Sequence, residues 1–263
     1  MSDANTIFDL TERKGIVFGA AGGIGATICP ALVRAGATLA MCDINADKAA
    51  AVCDDAQPEA GRSCAIACDV TQPDSVQQAV NEAADRFGQI DFVVNLTFFA
   101  PLHPIVDMPA DVFEQTIRVC LTGAFNISHA VGPIMIQQGA GAVVHFSSIA
   151  GAAALGRGTG AYAASKAGIN ALVRELAIEW GPHNIRVNAI APCQTRTEPL
   201  MRILDNPDFG GRDILLPRML AKIPLGRLAE TEDMIGPTMF LISDASKMVT
   251  GHVLYADGGY MAQ

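Results

Sequence analysis

The sequence predicts an α/β protein: a single Rossmann-like, doubly wound domain built on a mostly parallel seven-stranded sheet. Three observations predict it. Seven short apolar runs alternate with longer amphipathic stretches along the 263 residues, which is the rhythm of successive βαβ units. Several runs are apolar at consecutive positions, as in Ala142-Val143-Val144-His145-Phe146, the pattern of a central strand covered on both faces. The first run leads directly into a glycine-rich turn, Gly19 to Gly25, and then into a helical pattern, which is how a nucleotide-binding unit opens. Residues 1–263 are read as one domain, without a repeat or a low-complexity linker.

Taken in order, the first strand (15–19) stops at the glycine turn and the helix 23–35 leaves it. The second strand (38–42) ends on Asp43 and is followed by a helix over 46–56. The third (63–68) ends on Asp69, with a helix over 73–87. The fourth (90–95) precedes a long helix, 109–137, announced by Asp107 and Pro109. The fifth strand (142–147) ends on Ser147 and Ser148, ahead of a helix over 162–180. The sixth (185–191) leads into residues 193–227, which are rich in proline, glycine and charge and too long for an ordinary connection. That stretch is expected to be a substrate lid. A helix over 230–242, opened by Thr231 and neighbouring acids, and a seventh strand (252–256) complete the chain.

Composition narrows the function. Half of the residues are hydrophobic and 17% are charged, enough for a substantial core and too apolar for disorder. Eighteen basic against 27 acidic side chains give a net charge of −9, which opposes nucleic acid and anionic membranes as partners. The seven cysteines (29, 42, 53, 64, 68, 120 and 193) read as reduced thiols in a cytoplasmic protein. They and the five histidines lack metal-ligand spacing, so no metal is expected. Residues 119–156 carry no Asp, Glu, Lys or Arg, but polar and glycine residues interrupt them too often for a membrane span.

Glycines 19, 22, 23 and 25 permit a tight turn and let a pyrophosphate approach the backbone at a helix N-terminus. Asp43, 18 residues beyond Gly25, sits where a carboxylate accepts both adenosine ribose hydroxyls and repels a 2′-phosphate. NAD is therefore the expected cofactor, with Asp69 near the adenine. Tyr162 and Lys166 are four residues apart on a predicted helix, hence on one face. With Ser148 they converge at the carboxyl edge of the sheet, where open α/β folds bind ligands. Ionising a phenol of pKa about 10 at neutral pH costs roughly 4 kcal/mol. An ammonium at about 4 Å and an effective dielectric of about 20 offsets roughly that amount.

Over essentially its whole length the sequence resembles the short-chain dehydrogenase/reductase family. The matching stretches are Gly19-x-x-x-Gly23-Ile24-Gly25, Cys68-Asp69-Val70, Ser148, Tyr162-x-x-x-Lys166, Asn188-Ala189-Ile190-Ala191-Pro192, and Thr250-Gly251 through Asp257-Gly258-Gly259. The resemblance implies hydride transfer between an alcohol and a carbonyl on a nicotinamide cofactor, in a homotetramer or homodimer. By it Tyr162 is the acid/base, Ser148 orients the substrate oxygen, and Lys166 holds the nicotinamide ribose and lowers the tyrosine pKa. Ile24, Ile44, Val70, Asn95, Thr195 and Thr197 are expected along the cofactor. Phe98, Phe99, His103, Leu155, Cys193 and Gln194 are expected around the substrate.

Three departures from the family pattern stand out. Asn95-Leu96-Thr97-Phe98 replaces Asn-Asn-Ala-Gly, Cys120 replaces an asparagine of the proton relay, and Cys193 replaces the glycine after Pro192. A thiol is a poor relay group, so slower turnover is expected. The reading is an NAD-dependent enzyme interconverting a small secondary alcohol and a ketone. The alternatives are a 3-oxoacyl carrier-protein reductase, which Asp43 disfavours, and a non-catalytic NAD-binding sensor or scaffold. The lid's arginines admit an anionic substrate, and Arg157 and Arg196 are candidates for its mouth.

Overall fold

A computed structural model describes residues 7–56, 63–156 and 158–263; Arg157 lies outside them. Seven strands form one sheet: β1 (Lys14–Phe18), β2 (Thr38–Asp43), β3 (Cys64–Ala67), β4 (Phe92–Asn95), β5 (Gly141–Phe146), β6 (Ile185–Pro192) and β7 (Val253–Ala256). Their order is β3-β2-β1-β4-β5-β6-β7. Every neighbouring pair is parallel, so the sheet is wholly rather than mostly parallel. Each return to the starting edge runs through a helical crossover, as parallel pairing requires. The strand order reverses between β1 and β4, and Phe18 stands level with Cys42 on one side and Asn95 on the other. A crevice consequently opens at the carboxyl edge above that point.

The helices are α1 (Gly23–Arg34), α2 (Ala46–Ala56), α3 (Pro73–Phe87), α4 (Ala110–Ile117), α5 (Gly123–Gln138), α6 (Gly160–Trp180), α7 (Glu198–Asp205), α8 (Arg212–Leu220) and α9 (Ile235–Ile242). Alternating strand side chains face two cores. Val17, Val94 and Val144 join Ile28, Leu32 and Leu241 from α1 and α9. Ile16, Val93 and Val143 join Val80, Ile127 and Val173 from α3, α5 and α6. Each such aliphatic side chain removed from water contributes about 1.5–3 kcal/mol. In the second core, Gly132 of α5 makes room for Trp180 at the end of α6, whose ring lies 2.9 Å from where a Cβ would stand.

Three expectations are corrected. The helix foreseen over 109–137 is interrupted by a π-helical turn, Arg118–Thr122, between α4 and α5. A hydrophobic pattern averaged over several turns does not register one inserted residue. The whole path, Ala110–Gln138, has a mean hydropathy of 1.4 over its most apolar window, and 56% of that window is buried inside the fold, as in a core helix. Residues 193–227, read as irregular, contain α7, a 3₁₀ turn at Pro207–Phe209, and α8. Prolines at the start of α7 and inside α8 concealed them, because proline was read there as a breaker. The segment expected as helix over 230–242 begins as a 3₁₀ turn, Thr231–Met234, capped reciprocally by Glu230 and Asp233.

Candidate active site

The glycine turn is built by close approach. Gly19 has φ +79°, and a Cβ on Gly25 would lie 2.3 Å from the Gly19 carbonyl oxygen, so no larger residue fits there without moving the turn. Gly22 caps α1 without a side-chain hydrogen bond, which leaves the first amides of that helix facing the crevice. Across it, the Thr197 methyl lies 3.1 Å from where a Cβ of Gly23 would stand. The Ala21 amide donates to Asp43 Oδ2 at 3.0 Å, and the Asn45 amide donates to Oδ1. The carboxylate that ends β2 thus also braces the turn, while Ile44 beside it is exposed. Uncapped amides, a glycine cradle and an acceptor at the β2 tip fit an adenine dinucleotide.

Other expected cofactor residues are arranged differently. Asp69 Oδ1 accepts from the amide and hydroxyl of Thr71. Buried Val70 offers its carbonyl to Asn126 Nδ2. Thr195 donates to the Cys193 carbonyl and Thr197 to the Thr195 carbonyl. The Asn95 carboxamide is turned inward: Oδ1 accepts from the amide and hydroxyl of Thr97, and Nδ2 meets His145 Nδ1 at 3.2 Å. His145 Nε2 in turn meets Ser128 Oγ, whose proton goes to the Ala124 carbonyl. That chain fixes a neutral ring with its proton on Nε2. Burial, reinforced by Lys166, holds the His145 pKa down at about 4.

Ser148, Tyr162 and Lys166 are brought together by β5 and α6. Ser148 caps the short turn Ile149–Gly151, accepting from the Ala150 amide at 3.1 Å. A Cβ on Gly151 would lie 2.9 Å from the Lys166 backbone, so the turn rests directly on α6. Asn170, one helical turn beyond Lys166, donates to the Gly151 carbonyl and accepts from Ser147 Oγ at 2.6 Å. Sequence reasoning passed over Asn170 and His145, although the i, i+4 step from Lys166 to Asn170 was a usable signal. Lys166 is 1% exposed; its Nζ donates to the Phe146 carbonyl at 2.6 Å and lies 5.4 Å from the Tyr162 ring centroid.

The electrostatics differ from the simple expectation that the ammonium lowers the phenol pKa. Burial pushes Tyr162 up, Cys120 adds to that, and a hydrogen bond from Ser148 opposes it. Lys166 is pushed down by burial and supported by Cys120. The ammonium is drawn toward the β5 carbonyl, so desolvation governs the phenol. Cys120, fully buried within the π turn, accepts from the Phe99 amide at 3.3 Å and faces the Phe99 carbonyl at 3.5 Å. Cys120 is thus held by the residue that directly follows the 95–98 stretch.

The expected substrate residues do not all share one surface. Phe98 and Phe99 are exposed, and His103 is tied to the 158 loop through its amide and the Gly158 carbonyl. Leu155 and Gln194 line a cavity of about 400 Å³ with residues of α8. Cys193 instead lines a second cavity, of about 480 Å³, between the end of β7 and residues 223–234. One residue of strand-like backbone separates the two directions. Arg196 pairs with Glu230.

A dinucleotide cradle beside a serine, a tyrosine and a lysine at the carboxyl edge defines an oxidoreductase acting between alcohols and ketones. A family model described as enoyl-(acyl carrier protein) reductase matches residues 19–261. D-threitol dehydrogenase of Mycolicibacterium smegmatis is 37% identical, over 96% of this chain and 94% of its own. NAD-dependent glycerol dehydrogenase of Listeria innocua is 33% identical, over 96% and 95%. The crystal structure of a short-chain type dehydrogenase/reductase from Mycobacterium marinum superposes with a TM-score of 0.89 at 31% identity, covering 98% of each chain. The chain belongs to the short-chain dehydrogenase/reductase family.

Proposed function

We propose that the chain is an NAD(H)-dependent dehydrogenase of small polyhydroxylated secondary alcohols, with Tyr162 as its acid/base. The observation that carries this reading is the meeting of Ser148, Tyr162 and Lys166 at the carboxyl edge of the sheet that also carries the glycine turn. When bound, the nicotinamide supplies the hydride acceptor or donor. Ser148 holds the substrate oxygen next to the phenol, and Tyr162 Oη takes or returns the proton of that oxygen. Desolvation of the phenol suits donation to a ketone. In the oxidative direction the hydrogen bond from Ser148 opposes that desolvation and favours the phenolate. Among the described residues one Lys166 proton has a protein acceptor, the Phe146 carbonyl, and the ammonium carries two more for the nicotinamide ribose.

NAD rather than NADP is favoured by Asp43, whose carboxylate at the β2 tip repels a 2′-phosphate. Ile24, Ile44, Asp69, Val70 and Thr195 complete the cofactor groove, and residues 193–227 form the lid. A cytoplasmic location accords with seven free thiols. A homotetramer or homodimer accords with exposed Phe113, Phe125 and Ile178 on neighbouring helices.

The test is NADH formation across threitol, glycerol and cyclic alcohols. Tyr162→Phe is expected to remove turnover while NADH binding stays within about twofold; undiminished turnover overturns the assignment. Asp43→Ser is expected to move the NAD/NADP preference toward NADP by about tenfold, read from kcat/KM with each cofactor.

A further inference from the structure

Gln194 Oε1 is the buried side-chain nitrogen or oxygen atom that lacks a hydrogen-bond partner among the described residues. Its residue is 9% exposed, and a buried amide oxygen without a partner destabilises the fold until something donates to it. The backbone around it is fixed, with the Ala229 amide donating to the Gln194 carbonyl at 3.0 Å. The side chain lines the cavity of about 400 Å³ that also holds Leu155, Met219, Tyr260, Arg218 and Lys222.

The cations of that cavity are distinctive. Arg202 pairs with Glu198, Arg212 with Asp205, and Arg227 with Asp233, whereas neither Arg218 nor Lys222 has a carboxylate partner among the described residues. Arg218 stands in the last turn of α8 and Lys222, four residues on, in the turn that follows it, and both line the same cavity. A protein of net charge −9 thus presents two uncompensated positive side chains where an amide oxygen is buried without a partner. A hydroxyl satisfies that amide in either orientation, since it both donates and accepts. A carboxylate satisfies the two cations.

We propose that this cavity is a distal substrate subsite selecting polyhydroxy carboxylates, with Gln194 binding a hydroxyl and Arg218 and Lys222 the carboxylate. The inference rests on the alcohol dehydrogenase reading and adds charge selection to it. Leu155 lies beyond Ser148 in the loop that leaves β5, and Gln194 follows β6, so the subsite adjoins the same sheet edge as Tyr162. Ligand charge then orients a chain whose hydroxyls alone leave several carbons equivalent.

The test compares D-gluconate with D-glucitol and L-threonate with D-threitol, by initial rates and by calorimetric titration into the NADH-loaded protein. The native protein is expected to favour each acid over its alditol, with added salt raising KM for the acids only. Arg218→Gln with Lys222→Gln, both exposed positions, is expected to weaken the acids about tenfold in KM and Kd, leaving the alditols within twofold. Gln194→Leu is expected to raise KM for both classes while sparing cyclohexanol. Equal effects of the double Arg218/Lys222 substitution on acid and alditol, or no effect of it, overturn the subsite, as does a Gln194→Leu change that leaves both classes unaltered. Loss of all turnover by the native enzyme with acid binding retained overturns the dehydrogenase reading and keeps the subsite.

Discussion

His145 shows how a buried residue couples the fold to pH. Its ring is held between Asn95 and Ser128 and is fully buried, so the folded pKa falls from the ordinary 6.5 to about 4. The unfolded chain takes up that proton first as pH drops. Stability from this site is therefore complete above about pH 6.5 and lost as pH falls toward about 4, by on the order of 3 kcal/mol. His145→Gln is expected to lower the unfolding free energy obtained from urea titration at pH 7 by about 1–2 kcal/mol and to flatten its decline between pH 7 and 5. A decline as steep as that of the native chain sinks the assignment. At this scale, legibility followed chemistry. Ser148, Tyr162, Lys166 and Asp43 stood out because acid/base and ribose-binding groups end predicted strands or share a helix face. Asn95 did not reveal its inward turn, because a side-chain direction is set by a partner 50 residues away.

At the scale of elements, the strands were the most readable part, since a strand covered on both faces must be apolar at successive positions. The π turn at Arg118–Thr122 was not readable, nor were α7 and α8, where tertiary packing of Leu204, Leu215 and Met219 outweighs local proline. The glycine turn makes the sharpest prediction. Gly25→Ala puts a methyl 2.3 Å from the Gly19 carbonyl, so the turn must open. A loss of about 1–3 kcal/mol in stability, and a NADH Kd raised at least about tenfold, are expected from denaturant titration and fluorescence binding. Gly139→Ala, at a site with open space around it, carries only the strain of a positive φ and should leave cofactor affinity unchanged.

For the whole molecule, the two cores assign different tasks to the two faces of the sheet. The core under α1 and α9 includes Leu215 and Met219 of the proposed lid, and the other lies under α3, α5 and α6. On the outer surface of that second face, Phe125 is stacked on His129 and Ile178 is 79% exposed. If copies of the chain associate there, Phe125→Lys with Ile178→Lys should halve the sedimenting mass or reduce it further while leaving the far-ultraviolet circular dichroism unchanged. An unaltered mass places the assembly elsewhere.

Trp180 is the single tryptophan of the chain and lies against Gly132, two residues beyond Ile178. Its emission is a built-in optical gauge of that face. Loosening of α5 from α6 shifts it to the red, subunit dissociation perturbs it from outside, and movements of α7 and α8 over the opposite core leave it dark to view.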